Sequence, residues 1–142
     1  MIGRLTDSEI EDVLRRGRVG RIACSVDDQP YIVPVTYVYE SGMVYALSTL
    51  GRKIAMMRQQ PNVCFEVEEI DQPSNWRCVI ADALYEEFTD RPARSEVVHR
   101  IASLGGPVQP VPTNGQVAVA DALVVFRLRL TDVSGRFSRR DA

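Results

Sequence analysis

Apolar and polar residues alternate with a period of two along most of this chain, which is the pattern of β-strands with one buried face. Strands are therefore predicted at residues 18–26, 31–39, 43–48, 62–70, 76–88 and 117–133. Turn-forming residues separate the first three of these runs, at residues 27–30 and 40–42. The N-terminal half is accordingly expected to form a three-stranded antiparallel meander.

A helical spacing of apolar residues occurs in three shorter segments. Thr6 and Glu9 form a capping box ahead of an apolar stripe, which predicts an N-terminal helix within residues 1–16. Further helices are expected at residues 53–60 and 91–104. These helices are short, so we expect them to lie around the rim of a sheet.

The remaining segments complete a prediction of one domain over residues 1–142. Residues 105–116 are rich in glycine and proline and are expected to form a long loop, whereas residues 134–142 are expected to form a loose tail. Six strands joined by local hairpins, with three short helices, predict a mainly β protein. The expected architecture is a small antiparallel barrel with peripheral helices.

Pro34 lies in the middle of the second predicted strand. Proline has no N–H to donate to a ladder, so an edge strand, a bulge or an interrupted ladder is expected there. One interpretation is simple protection of a sheet edge. The other is that the backbone is freed locally to face a ligand, because the strand lies one hairpin away from Ser48.

Composition excludes several classes of protein. The 142 residues carry a formal net charge of −2 and are 45% hydrophobic, so nothing indicates a general attraction to nucleic acid. No apolar run approaches the ~20 residues of a membrane-spanning helix. The N-terminus leads directly into a helix signal, so no signal peptide is expected and a cytoplasmic location is the simplest prediction.

Cysteine and histidine provide no recognisable catalytic or metal centre. Cys24, Cys64 and Cys78 are odd in number, distant in sequence and placed in apolar strand-like runs, which predicts buried thiols rather than disulfides or a zinc site. His99 is the only histidine, which excludes most histidine-based triads and multi-histidine metal sites. His99 is therefore expected to be an ordinary surface residue of the third helix.

The most informative stretch joins the third strand to the second helix. An apolar strand ends at Ser48, Gly51 turns the chain, and Arg52 and Lys53 begin a helix. Hydroxyl and free backbone N–H groups, two cations and a helix dipole can together bind a phosphate. The alternative is a turn whose two cations are solvated.

A phosphate site without catalytic side chains suits a cofactor that carries the chemistry itself. Flavin mononucleotide (FMN) meets these conditions, because its phosphate needs cations and its ring needs a flat apolar surface. Its polar edge needs backbone donors and acceptors, which a strand interrupted at Pro34 could offer. Trp76, the only tryptophan, is either a core or interface anchor or a wall that stacks on the ring.

An ordered series of motifs resembles the pyridoxamine 5'-phosphate oxidase-like family of flavin-binding proteins, and its nitroimidazole-resistance reductase branch in particular. The series consists of QPYIVPVTYV at 29–38, GMVY at 42–45, GRK at 51–53, NVCFEV at 62–67 and WRCVI at 76–80. The resemblance covers residues 14–85 well and the last strand more loosely. It implies a six-stranded split β-barrel and FMN as cofactor.

The same resemblance implies which residues bind the cofactor. Arg52 and Lys53 would bind the phosphate, aided by Ser48. The ring or the ribityl chain would be lined by the backbone of Val33, Pro34, Val35 and Thr36. The family also implies a homodimer with two FMN sites at the subunit interface, which Trp76 and Arg77 would reach from the partner subunit.

Three departures from the family pattern bear on activity. The arginine and lysine on the second strand of true pyridoxamine phosphate oxidases are replaced by Tyr31 and Thr36, and no substrate-binding segment follows Arg136. Both departures argue against pyridoxal phosphate synthesis. Asp82 stands where a glycine is usual, which is expected to alter the strand twist near the site.

The leading hypothesis is an FMN-dependent oxidoreductase that transfers hydride through flavin N5 to a small nitro or quinone-like molecule. One alternative is a flavin- or haem-binding carrier or sensor without turnover. A second is a reductase that uses the deazaflavin F420.

Overall fold

The computed structural model describes residues 1–106 and 123–140. Within them, eight strands and three helices follow one another. In chain order the elements are β1 Ile2–Arg4, α1 Asp7–Arg16, β2 Val19–Val26, β3 Gln29–Thr36, β4 Val38–Glu40, β5 Met43–Ser48, α2 Arg52–Gln59, β6 Asn62–Gln72, β7 Asn75–Phe88, α3 Arg91–Ser103 and β8 Val124–Ser138.

Local signals in the sequence set the main boundaries. The Thr6 side chain accepts from the Glu9 N–H, and the Glu9 carboxylate accepts in return from the Thr6 N–H, which confirms the capping box of α1. Asp27 and Asp28 both have positive φ in the β2–β3 turn, and Ser41 and Gly42 do so in the β4–β5 turn. Positive φ at both central residues matches the twist of a tight β-hairpin.

The sheet runs in the order β3-β2-β6-β7-β8-β5-β4, with β1 paired to β8, and every pairing among the described strands is antiparallel. Its two ends, β3 and β4, are consecutive in the chain and separated only by Tyr37. The sheet must therefore curl round to bring its two edges together. The mainly β, antiparallel prediction with peripheral helices is confirmed, with eight described strands instead of six.

The predicted three-stranded meander is wrong. The run predicted as one strand at 31–39 breaks at Tyr37, whose N–H donates to the carbonyl of Arg18. The β2–β3 hairpin then pairs with β6, whereas the β4–β5 hairpin pairs with β8 at the other end of the sheet. These pairings join strands that are distant in the chain, so the local turn residues of the hairpins do not reveal which strands pair.

The C-terminal tail also differs from expectation. The strand β8 continues through Gly135 to Ser138, pairing with β7 on one side and β1 on the other. Phe137 is buried, and the Gly135 carbonyl accepts from the N–H of Leu5. The tail predicted at 134–142 is thus mostly strand, and part of the N-terminal segment predicted as helix is the strand that covers it.

Two predictions lie largely outside the described residues. The loop expected at residues 105–116 is described only at its first two positions, and the start of the last strand predicted at 117 is not described. In the described part of the chain, none of the helices has the length and apolar character needed to cross a bilayer.

The main core fills the inner face of the curled sheet. Phe65 and Tyr37 meet edge to face with ring centroids 5.0 Å apart, and Leu14 of α1 and Met57 of α2 are fully buried against the same core. Buried aromatic rings supply large apolar area, and edge-to-face pairs add about 0.5–1.5 kcal/mol each. Both helices are thereby fixed on the sheet, which fixes the start of α2 in space.

The outer face of β6 carries a crowded pair of carboxylates. Glu66 and Glu68 share Arg21, whose Nη1 lies 2.8 Å from Glu68 Oε1 and 4.0 Å from Glu66 Oε1. Cys78 on β7 donates its thiol hydrogen to Glu66 at 3.4 Å. Burial, followed by a hydrogen bond with Glu68, raises the pKa of Glu66 to about 7.

This elevated pKa predicts how stability changes with pH. Because the folded state holds the Glu66 proton more tightly than the unfolded chain does, the group favours folding at low pH. Its contribution is lost as pH rises from the ordinary carboxyl pKa through the folded value of about 7. We expect Glu66→Gln to increase the free energy of unfolding over wild type at about pH 8 and to give a smaller gain at about pH 5.

Urea unfolding at the two pH values measures this effect. Glu96→Gln is the matched control, because the side chain of Glu96 is 75% exposed. An equal effect of Glu66→Gln at both pH values would contradict the prediction.

Candidate phosphate and cofactor site

The predicted phosphate site is assembled where β5 ends and α2 begins. Ser48 is the last residue of β5 and is buried, and its hydroxyl donates to the Thr49 carbonyl at 2.9 Å. Helix α2 begins at Arg52 and has no side-chain hydrogen bond at its N-cap, Gly51. The N–H groups of its first turn therefore remain available to an anion.

Arg52 lies over an aromatic ring instead of beside a carboxylate. Its Cζ is 4.3 Å from the centroid of the Tyr31 ring. Among the residues that the structure describes, Arg52 takes part in no ion pair. In the sequence, Tyr31 was noted only as a departure from the family pattern. The contact between Tyr31 and Arg52 was therefore not predicted.

Lys53 is a half-buried cation. Burial lowers the pKa of its ammonium group, and no carboxylate of the described residues lies within ion-pair distance of it. A partly desolvated charge with no counter-charge is unfavourable on its own. An anion beside Lys53 would relieve this cost, and Arg52 is the adjacent residue.

The strand β3 forms the edge of the described sheet, since it pairs only with β2. Pro34 lies opposite Arg21 in that pairing, which confirms the prediction that proline marks an edge. No other described strand pairs with the outer edge of β3. The four predicted lining residues alternate in exposure: Val33 is half-buried, Pro34 exposed, Val35 buried and Thr36 exposed.

Trp76 and Arg77 lie at the opposite end of the sheet from Arg52. Asp82 of β7 is level with Ala23 of β2, one residue from Cys24, which pairs with Tyr31. Trp76 is six residues from Asp82 along β7, a separation of about 20 Å at the usual rise of a strand. One chain therefore does not bring its Trp76 to its own phosphate site.

A groove of about 550 Å³ surrounds Trp76 and Arg77. Arg77 donates from Nε and Nη2 to Glu69 and from Nη2 to Asp12 of α1, at 2.8 to 3.1 Å. Its Nη1 makes no hydrogen bond with any described residue and is left as a donor. Trp76 is half-buried and forms part of the wall of the same groove.

Asp82, which replaces the usual glycine, lies beside an irregularity in the sheet. The β7–β8 register shifts between Asp82 and Ala83. The Asp82 carboxylate accepts from the thiol of Cys64 at 3.6 Å, and its carbonyl accepts from the Thr131 hydroxyl at 3.2 Å. A second groove, of about 530 Å³, opens beside these residues on the outer face of the sheet.

The remaining candidate groups are placed as follows. All three cysteines are free, but Cys64 is exposed and Cys78 is half-buried, so only Cys24 is the buried thiol that the sequence predicted. His99 is exposed on α3, as expected. Within residues 1–106 and 123–140, no cluster of three or more His, Cys, Asp or Glu side chains could hold a metal.

Most of this chain matches a family of known proteins. The model of the family described as pyridoxamine 5'-phosphate oxidase matches residues 6–137. An uncharacterized protein of Rhizobium meliloti, RA0666, is 30% identical over 141 residues, which cover 93% of this chain and 92% of that protein.

Solved structures share the same architecture. The crystal structure of a FAD-binding protein (mll6688) of Mesorhizobium loti is 33% identical, covers 98% of this chain and 99% of its own, and has a TM-score of 0.78. A candidate 5-nitroimidazole antibiotic resistance protein of Bacteroides thetaiotaomicron is 16% identical, with a TM-score of 0.76 over 96% of this chain and 87% of its own. The split-barrel prediction is thereby confirmed.

Proposed function

This chain belongs to the pyridoxamine 5'-phosphate oxidase family, and we propose that it binds FMN and acts as a flavin-dependent oxidoreductase on a small nitro or quinone-like molecule. One observation carries the proposal. Arg52 and Lys53 lie side by side at the uncapped start of α2, and no carboxylate of the described residues neutralises them. Such a pair is suited to a phosphate dianion.

Different residues of this chain would bind the phosphate and the ring of FMN. Arg52 and Lys53 would bind the phosphate, together with the first-turn N–H groups of α2. Ser48 could contribute once its hydroxyl turns away from Thr49. The open edge of β3 at Val33, Pro34, Val35 and Thr36 would offer backbone groups to the polar edge of the ring. When bound, FMN supplies hydride transfer, and the protein orients it and limits its contact with water.

The identity of the chromophore is the first test. The Mesorhizobium loti relative is described as FAD-binding, which supports a flavin of some kind. We expect the purified protein, or the protein freed of unbound ligand after addition of FMN, to show flavin absorbance near ~450 nm. A haem Soret band would favour the carrier or sensor alternative, and a deazaflavin spectrum the F420-dependent one. No bound chromophore after addition of FMN would count against the proposal.

The phosphate site has a more specific test. We expect Arg52→Ala combined with Lys53→Ala to weaken FMN binding by about 3–6 kcal/mol, because each of the two lost charge-assisted bonds contributes about 1.5–3 kcal/mol. Riboflavin, which has no phosphate, should bind both proteins equally. Fluorescence titration with the two ligands measures the difference.

Arg58→Gln is the control, since it removes a charge from the other end of α2, where Arg58 is bound to Glu87. Unchanged FMN affinity in the double variant would refute the phosphate assignment.

The position of Trp76 and Arg77 supports a site shared between two subunits. They lie at the opposite end of the sheet from Arg52, and Arg77 Nη1, which lines a groove, donates to no residue that the structure describes. In a two-fold dimer, the groove of one subunit can approach the phosphate site of its partner. We therefore propose a homodimer in which each cofactor contacts both subunits.

Mixing two variants tests this arrangement. Homodimers of Arg52→Ala/Lys53→Ala and of Arg77→Ala should each bind FMN poorly. A heterodimer of the two has one site with both halves intact, so unfolding and refolding an equal mixture should restore about a quarter of the sites. Flavin stoichiometry after gel filtration gives the measurement. If the two halves belong to one subunit, no sites return, and a monomer in sedimentation would also exclude sharing.

A further inference from the structure

We propose that Tyr31 is a positioning residue for phosphate recognition, because its ring holds the Arg52 guanidinium in place without using any of that group's N–H donors. This inference rests on the proposed phosphate site. It gives a role to a residue that stands where true pyridoxamine phosphate oxidases carry an arginine. The ligand it concerns is a phosphate monoester bearing a planar ring system.

Two separate elements bring the ring and the guanidinium together. Tyr31 is paired with Cys24 in the β2–β3 ladder, and its half-buried ring packs against the main core. Arg52 is the first residue of α2, a helix whose Met56 Sδ lies 4.0 Å from Cys24 Sγ. The ring is therefore a fixed surface, and the guanidinium Cζ lies 4.3 Å from its centroid.

The other arginine–ring contacts of the described residues include a carboxylate partner. Four arginines lie over a ring, and three of them also donate to a carboxylate. These three pairs are Arg100 with Glu40, Arg127 with Glu86 and Arg139 with Glu9. Arg52 is the exception within the described residues, since only the ring holds it.

The difference matters for binding an anion. A carboxylate partner occupies the N–H donors of a guanidinium and cancels its charge, as Glu87 does for Arg58 at the other end of α2. A ring beneath the guanidinium acts through its face and leaves the five N–H donors at the edges free. Tyr31 can thus restrict the motion of Arg52 while preserving its whole charge and hydrogen-bonding capacity for a phosphate.

Substitutions at position 31 test this role through a comparison of two ligands. We expect Tyr31→Leu to weaken FMN binding by about 3- to 10-fold, as a cation–π contact of ordinary strength implies. Riboflavin binding should stay within about 2-fold, because that ligand lacks the phosphate. Tyr31→Phe is the matched control: it keeps the ring and should bind both ligands like wild type. Fluorescence titration measures all four affinities.

A double-mutant cycle distinguishes positioning from a general structural effect. In the background of Arg52→Ala, Tyr31→Leu should have no further effect on FMN affinity, since there is no guanidinium left to orient. If Tyr31→Leu does not fold, fluorinated phenylalanines at position 31 provide a second test, because they weaken the negative face of the ring and preserve its shape. FMN affinity should then fall stepwise with fluorination.

The outcomes separate this inference from the proposed function. If Arg52→Ala weakens FMN binding but Tyr31→Leu and the fluorinated series do not, the positioning role of Tyr31 is overturned and the phosphate site stands. Equal losses for riboflavin and FMN would also overturn it, because they would assign Tyr31 to the ring or to the fold. If Arg52→Ala has no effect on FMN, the phosphate site itself is wrong.

Discussion

Pairing along β7 is the constraint on which the rest of the structure depends. This strand binds β6 on one side and β8 on the other, and those two strands in turn hold the β2–β3 and β5–β4 hairpins. The strand separates Arg77 from Asp82, which is level with Ala23 of β2, by five residues or about 17 Å. One strand thus fixes both halves of the proposed site and keeps them apart within a chain.

Charge compensation distinguishes the two halves. Arg77 is held by Asp12 and Glu69, and within residues 1–106 and 123–140 its Nη1 has no hydrogen-bond partner. Arg52 and Lys53 have no such partners in the described residues, although Lys53 is half-buried. Leaving the half-buried Lys53 without a carboxylate costs free energy unless an anion compensates it, whereas the neighbouring Arg52 is exposed to solvent. In the proposed site, one half would bind a phosphate and the other a group that accepts a hydrogen bond.

Much of the local structure could be predicted from the sequence because its causes are local. The capping box at Thr6 and Glu9 and the glycine-containing turn at Gly42 depend on neighbouring residues alone. The edge position of Pro34 follows from its missing N–H. The predictions that proved wrong depended instead on contacts between distant parts of the chain. The predicted meander is wrong because the run 31–39 breaks at Tyr37 into β3 and β4, which lie at opposite edges of the sheet. The predicted loose tail is wrong because β1, from the other end of the chain, pairs with residues 136–138.

The sequence by itself determined which residues could bind a phosphate. The positive charges of an Arg–Lys pair, and its place after a strand and a glycine, can be read without coordinates. Only the tertiary structure decided how those residues are held. The contact of Arg52 with Tyr31 joins the start of a helix to a strand residue 21 positions earlier in the chain. The ion pairs of Arg77 join β7 to α1 and β6. Such contacts depend on strand register and helix packing, which long-range burial of the core sets and no local pattern encodes.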